Sequence, residues 1–382
     1  MILKNLSLVN FRNYQKSQFN FDSKATVFVG PNASGKTNLI ESIHMLATGK
    51  SFRTDKEKQL LQFGEKTSRI KGEIGVSQES IDGEELEVVL IQTPPSAAIE
   101  PRFNRGNSGS SNGGLLQKKY LVNSVSKRRV DFAGRIPVVL FTPTDIDIVI
   151  GQPSTRRRFL DEVLEQVDRE YSLARDTYTK ALRQRNALLE QTRMQGQRKE
   201  KLFSYWDNLL IQNGEIITQK REELLSFINQ SEKEIFPFVL TYDKSIISQE
   251  RLLQYKDAEV GAGVTLVGPH RDEILIQSNQ DKSKEILDVK HFSSRGQQRL
   301  VTLELKLSQI SYIQQRTQSL PVLLLDDIFS ELDSQHIEKI LKLIGDYQTI
   351  MTTTHKEFIE DAGLKNINIV ELERNTSRHA DI

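Results

Sequence analysis

The segment GPNASGKT, Gly30 to Thr37, restricts the architecture of this chain more than any other stretch. It fits the pattern G-x-x-x-x-G-K-[ST]. An apolar run, ATVFVG, leads into it, and KTNLIESIHMLATG, with apolar residues spaced by three and four, leads out. A strand, a glycine loop and a helix in that order turn backbone N–H groups towards one point and bind phosphate there. Gly30 and Gly35 let the backbone wrap the phosphates. The amides of Ala33, Ser34, Gly35, Lys36 and Thr37 are expected to face phosphate oxygens, with Asn32 and Asn38 completing the loop around the nucleotide. Lys36 is placed to reach the β- and γ-phosphates of ATP, and the Thr37 hydroxyl to hold Mg²⁺.

A chain of 382 residues exceeds what one core usually serves, so more than one domain is expected. Short strands are expected at ILKNLSLVNF, KSQFNF and ATVFVG, and antiparallel strands between residues 69 and 141. The stretch PPSAAIEPRFNRGNSGSSNGG, near residue 110, reads as a surface insertion with no packed core. From Pro153 about forty residues pass without Gly or Pro, with Leu160, Val163, Leu164, Val167, Tyr171, Ala174 and Tyr178 on one stripe. Gly196 interrupts, and a second helical run continues to about Ile235. Two antiparallel helices of this size make an arm several tens of ångströms long, at about 1.5 Å per residue. A parallel-sheet pattern returns in AGVTLVGPH, PVLLLDD, QTIMTTTH and INIVEL. The expected division is a head lobe over 1–150, a helical arm over 151–240 and a second head lobe over 241–382.

The second head lobe carries the rest of the chemistry. LPVLLLDDIFSELD ends an apolar strand in two acids. Asp326, at the strand tip, is placed to bind Mg²⁺, and Asp327 to orient or deprotonate an attacking water. Asp is shorter than Glu, which is compatible with slow turnover. His355, in TTTH after the next strand, is a candidate sensor of the γ-phosphate. SSRGQQRL opens a helical pattern, and Ser294, Gly296 and Gln297 offer a hydroxyl, a close-approaching amide and a side-chain amide. This is the arrangement of the signature helix of ABC-type ATPases, which covers the γ-phosphate of a partner subunit. SELD, Ser330 to Asp333, follows where such proteins carry a loop that crosses the dimer interface. The fold class expected is therefore α/β: a P-loop ABC-type ATPase head, a mixed sheet with an antiparallel β subdomain, interrupted by a helical arm.

Taken together, NFRNY, GPNASGKTN, FTPTDIDIVIGQPSTRRRFLD, TLVGPHRDEI, SSRGQQR and LLLDDIFSELD resemble the RecF family of bacterial recombination and repair ATPases over nearly the full length. The resemblance implies an SMC/Rad50-like head with a short arm, an ATP-dependent homodimer, and binding to double-stranded and gapped DNA. It also implies cooperation with RecR and RecO in loading a recombinase. Arg12, in FRNY, looks like the residue that lies near the nucleotide in related heads, or else is an exposed strand-end arginine. Ala33 stands where the family often has glycine. Asp145, in FTPTD, is either a switch residue or part of a plain turn, and His270 and Arg271 of GPHRD receive no role.

Net charge is only +1, so DNA contact must use local clusters. Candidates are Lys127, Arg128 and Arg129, then Arg156, Arg157 and Arg158, and Arg183 with Arg185 on the arm. Such clusters contact phosphate and carry little sequence information. Arg156 to Arg158 could equally pin the arm to the head through Asp161 and Glu162. The absence of cysteine fits a reducing cytosol, and a cytoplasmic protein with no membrane partner is expected. The competing readings are a nucleotide-binding subunit of a membrane transporter, which gives no reason for the arm, and a small-molecule kinase, against which the signature and double acid argue.

Overall fold

A computed structural model describes residues 1–22, 24–79, 83–93, 116–278, 287–328, 345–354 and 367–373. In chain order its elements begin with β1 (Ile2–Phe11), β2 (Tyr14–Asn20), β3 (Ala25–Val29), α1 (Lys36–Thr48), β4 (Thr67–Gly75), β5 (Glu84–Gln92), β6 (Leu116–Val122), β7 (Val125–Lys127), α2 (Arg129–Phe132) and β8 (Val138–Phe141). Then come α3 (Asp147–Ile150), α4 (Pro153–Val167), α5 (Arg169–Gln195), α6 (Glu200–Gln230), β9 (Val239–Asp243), α7 (Gln249–Gln254), α8 (Lys256–Ala262), β10 (Glu273–Ser278), β11 (Leu287–Asp288) and α9 (Val289–Phe292). The last are α10 (Arg295–Thr317), β12 (Val322–Asp326), β13 (Thr349–Thr353) and β14 (Asn368–Glu371). Contacts group these into two compact units, Met1–Pro143 with Ile313–Ile382, and Thr144–Tyr312.

The first unit holds two sheets. One is antiparallel, in the order β2-β1-β4-β5-β6-β7. In β1 the buried residues Leu3, Leu6, Leu8 and Phe11 depart from strict alternation between Leu3 and Leu6, where the register with β4 shifts at a bulge. The other sheet runs β14-β3-β13-β12-β8, and all its described pairings are parallel. The expected mixed sheet is thus, among the described residues, a parallel sheet beside a separate antiparallel one. β12 and β13 are buried along their whole length, which is why VLLLD and TIMTT do not alternate. One core of Leu, Ile, Phe and Val side chains is shared by both sheets and α1.

In the second unit α5 and α6, of 27 and 31 residues, pair closely along their length. At about 1.5 Å per residue each spans about 40 Å or more. The long helical run expected from Pro153 divides at Asp168, whose carboxylate accepts the N–H of Tyr171 at 2.9 Å and caps α5. Gly196, with φ 70°, ends α5. The strand expected in AGVTLVGPH does not form. Its amides turn to side chains instead: Thr265 N–H to Asn186 Oδ1 at 2.8 Å, Leu266 N–H to Glu259 Oε1 at 2.9 Å and Gly268 N–H to Ser245 Oγ at 3.1 Å. β9, β10 and β11 form a small antiparallel sheet against α4 and α6. That packing keeps residues 241–312 with the helical pair, where the sequence drew a boundary at 240.

The interior of this unit is unusually polar. Arg221, buried in α6, donates to Asp161 Oδ1 at 2.8 Å, Asp272 Oδ2 at 3.0 Å and the Pro269 carbonyl at 2.7 Å. Burial pushes the Asp161 carboxyl up, but Arg221 and Arg175 outweigh it and hold it at about 2. His270 accepts from or donates to Tyr178 Oη at 2.8 Å through Nδ1, and its Nε2 lies 3.1 Å from the Thr265 carbonyl. A carbonyl can only accept, so Nε2 carries the proton and Nδ1 receives the tyrosine O–H. Burial lowers this imidazole to about 4, so it is neutral.

Candidate nucleotide-binding site

The phosphate loop leaves β3 at the C-terminal end of the parallel sheet and enters α1. Gly35 has φ 107°, and a Cβ there would lie 2.5 Å from Asn13 Nδ2, so both conformation and space require glycine. Ala33 is also left-handed, with φ 67°. A left-handed residue with a Cβ carries strain of about 1 kcal/mol. Asn13 Nδ2 donates to the Ser34 carbonyl at 3.4 Å and Tyr14 Oη to the Gly35 carbonyl at 3.2 Å, bracing the loop from the β1–β2 turn.

Lys36 folds back over its own loop. Its Nζ donates to the carbonyls of Gly30 at 2.6 Å and Pro31 at 3.0 Å. Burial lowers its pKa, while the charges of Asp327 and Asp326 oppose that shift. Asp326 ends β12 with its carboxylate buried; Oδ1 accepts from Thr37 Oγ1 at 3.1 Å and Thr352 Oγ1 at 2.8 Å. Burial raises the Asp326 pKa, and the two hydroxyls only partly offset it.

The Thr37–Asp326 pair fits Mg²⁺. Two neighbouring ligands of an octahedral Mg²⁺ at about 2.1 Å lie about 3 Å apart, close to the 3.1 Å between these oxygens. A cation there would also reverse the desolvation that raises Asp326. Asp327 adopts φ 52°, a left-handed turn tolerated by Asp, and its N–H meets Thr352 O and Oγ1, each at 3.2 Å. The turn takes Asp327 out of the line of β12.

Arg12 also sits in a left-handed turn, φ 53°, between β1 and β2. Its guanidinium makes a two-pronged contact with Glu41 of α1, at 2.9 and 2.7 Å. Glu41 is fully buried and also accepts from Ser51 Oγ at 2.6 Å, with Arg53 at 3.6 Å. Asn38 spans Asn13 Oδ1 at 2.8 Å and Arg53 Nη1 at 2.7 Å. Arg12, Asn13, Asn38, Arg53 and the exposed Phe63 line a cleft beside the loop. Sequence reasoning missed Glu41, Thr352, Arg53 and Asn13. Only Asn13 carried a signal, as part of FRNY.

In the second unit, Ser294 caps α10. Gln297 N–H donates to Ser294 Oγ at 3.3 Å, and Ser294 N–H to Gln297 Oε1 at 2.8 Å. Ser294 and Gly296 remain exposed, and a Cβ on Gly296 would meet only Ser294 Oγ, at 3.9 Å. Asp145 pairs with Lys306 at 3.3 Å, on α10 itself. His355, the SELD segment and the Gly/Ser-rich insertion lie outside the described residues.

The basic clusters separate. Lys127 and Arg128 are exposed, with Arg128 on Asp131 at 2.9 Å, and Arg129 is half-buried. Arg183 is exposed as well. Arg156 is buried and takes both Glu273 oxygens at 2.8 and 3.0 Å, so it is not a phosphate contact but an internal strut. Arg157 donates to the Asp272 carbonyl at 2.6 Å, and Arg158 pairs with Glu162 at 2.8 Å. Arg185 is wholly buried between Asp207 at 2.6 Å and Glu259 at 2.7 Å, which removes it from the DNA candidates.

The model of the family described as RecF/RecN/SMC N terminal domain matches residues 2–378, which sets the class. A Smc head domain with an extended coiled coil from Pyrococcus furiosus shares the fold, with TM-score 0.50 at 15% identity, over 97% of this chain and 94% of that one. Within the class, the DNA replication and repair protein RecF of Bacillus cereus is 32% identical over 98% of both chains. The RecF of Shouchella clausii is 32% identical over the whole of each. A solved structure of the recombination mediator protein RecF-ATPrS in the RecFOR pathway superposes with TM-score 0.77 at 29% identity, over 93% of both chains. The chain belongs to the RecF family.

Proposed function

We propose that the chain is a slow, DNA-stimulated ATPase of recombinational repair and replication, in which ATP joins two copies and the closed pair grips duplex DNA near gaps. The observation that carries this reading is the contact of Thr37 with Asp326, an oxygen pair with Mg²⁺ spacing beside a glycine-built phosphate loop. Bound Mg²⁺ supplies charge neutralisation at the β- and γ-phosphates. Lys36 exchanges its two loop carbonyls for phosphate oxygens, a stronger charge-assisted pairing. Asp327, turned out of the strand line, holds the attacking water and takes its proton. His355 senses the γ-phosphate. The cleft walled by Arg12, Arg53 and Phe63 receives the nucleoside end.

The cap, with Ser294 and Gly296 exposed and Gln297 half-buried, covers the γ-phosphate held by a second copy. An exposed, fully capped helix start supports that role, because its polar groups are already ordered. Duplex phosphates meet Lys127, Arg128 and Arg129, with Arg183 on the 151–240 arm. RecR and RecO act with the closed dimer in recombinase loading, in the cytoplasm. The relatives named DNA replication and repair protein RecF, and the solved RecF-ATP structure at 28% identity, support this reading. Light scattering with and without ATP and Mg²⁺, repeated with a DNA duplex, tests it. A mass that doubles only with both ATP and Mg²⁺ is expected; a monomer under every condition would overturn it.

A further inference from the structure

The signature segment is fixed from behind by side chains that the proposed chemistry does not use. Immediately after the exposed cap, Gln298 turns inward and is 5% exposed. Its Nε2 donates to the carbonyls of Val289, Lys290 and Ser293, at 3.3, 3.1 and 3.2 Å. Its Oε1 is buried without a hydrogen-bond partner. An unpaired buried acceptor costs about 1–3 kcal/mol, so the amide stays because of what its donor side holds, the turn that carries Ser293 into Ser294.

A second tie reaches the same turn. Lys290 Nζ and Arg156 Nη1 both donate to the Gly151 carbonyl, at 3.2 and 3.1 Å. Arg156 is anchored in turn on Glu273, the residue after GPHRD. PSTRRR and GPHRD, distinctive in sequence, thereby converge on the backing of α9.

We infer that Gln298 and Arg156 are positioning residues: they hold Ser294 and Gly296 in the orientation that a second copy of the chain receives. The inference rests on the reading that the signature acts in trans. Both side chains are buried and act on the turn from inside, so their loss separates two steps. Nucleotide binding by the subunit's own loop survives, and association fails.

The test uses the full chain and three variants of these residues. Gln298→Met keeps length and volume but removes the donors, and Gln298→Glu sets a carboxylate against three carbonyls. Arg156→Met removes the second tie. ATP affinity measured on dilute monomer should stay within about twofold, while ATP-driven association weakens by about tenfold for Gln298→Met and further for Gln298→Glu. Ser294→Arg is the control for the underlying reading: if it still dimerises with ATP, the trans reading itself fails. If Ser294→Arg blocks association but Gln298→Met associates like the wild type, the positioning role is wrong. A lowered melting temperature with unchanged association, or a parallel loss of ATP affinity, would also overturn it. Where Arg156→Met does not fold, the two Gln298 variants decide alone.

Discussion

The phosphate loop and the signature turn are both glycine-containing entries to a helix, yet they are finished in opposite ways. In the loop Ser34, Gly35 and Lys36 are buried while Pro31, Asn32 and Ala33 are exposed, and its cation already has partners, the carbonyls of Gly30 and Pro31 at 2.6 and 3.0 Å. The signature turn has its backbone satisfied by a reciprocal cap, but presents Ser294 and Gly296 to solvent. The loop can therefore exchange internal contacts for a ligand within one subunit. The turn, with its cap satisfied and its surface open, suits the proposed role of meeting a ligand held by a second copy. That difference motivates the proposed division of labour between two copies.

The largest effect that sharpens the contrast falls on the loop side. Asp327→Asn should leave ATP bound and lower hydrolysis by about 10³-fold, since an amide cannot take the water's proton. Single-turnover phosphate release reads it, and a normal rate would move the base elsewhere. Lys36→Ala comes next. Losing two charge-assisted contacts of about 1.5 kcal/mol each weakens ATP binding by about 100-fold. An unchanged affinity in a titration would remove Lys36 from the phosphates.

The polar interior of the second unit gives a third effect, on stability. His270 falls from an ordinary 6.5 to about 4 on folding. Its neutral form is the one the fold accepts, so the contribution is complete above the unfolded value and is lost as pH drops from there towards the folded one. Between pH 7 and pH 5 the loss is about 2 kcal/mol. Denaturant melts of the wild type and His270→Gln across that range should differ in slope; parallel curves would contradict a buried neutral imidazole. The smallest effect concerns DNA. Neutralising Lys127, Arg128 and Arg129 together should lower the slope of log affinity against log salt by about 2–3, equally for every sequence. An unchanged slope would take the cluster off the DNA path.

These sites differed in how far sequence could reveal them. Thr37 and Asp326 are 289 residues apart, yet each has a local mark, the loop spacing and the acid ending an apolar strand, and they touch. Glu41 has no such mark. It sits in a helical run among apolar residues, and its meaning comes from Arg12, Ser51 and Arg53, which only the folded sheet brings to it. Arg156 was read either as a DNA contact or as a pin to Asp161 and Glu162, but its acid is Glu273, 117 residues away, and Arg185, read as a DNA candidate, is taken by Asp207 and Glu259. The strand expected in AGVTLVGPH was lost for a related reason. Periodicity cannot see that Asn186, Glu259 and Ser245 take its amides. Local rules recover sites whose residues each carry a local mark, however far apart, and miss those defined only by their partners.

The claim that the two halves of the site come from different copies is tested most directly by mixing two inactive variants. Ser294→Arg damages the signature and Lys36→Ala the phosphate loop, so each homodimer has two faulty sites. In a two-fold pair one mixed site combines both lesions, and the other joins an intact Lys36 loop to an intact Ser294. Restored ATP hydrolysis on equal mixing, about a quarter of the wild-type rate if pairing is random and the sites are independent, is the expected result. Mixed dimers that form but stay inactive, together with activity retained when wild type is paired with the Lys36→Ala, Ser294→Arg double variant, would place Ser294 in its own subunit's site and contradict the division.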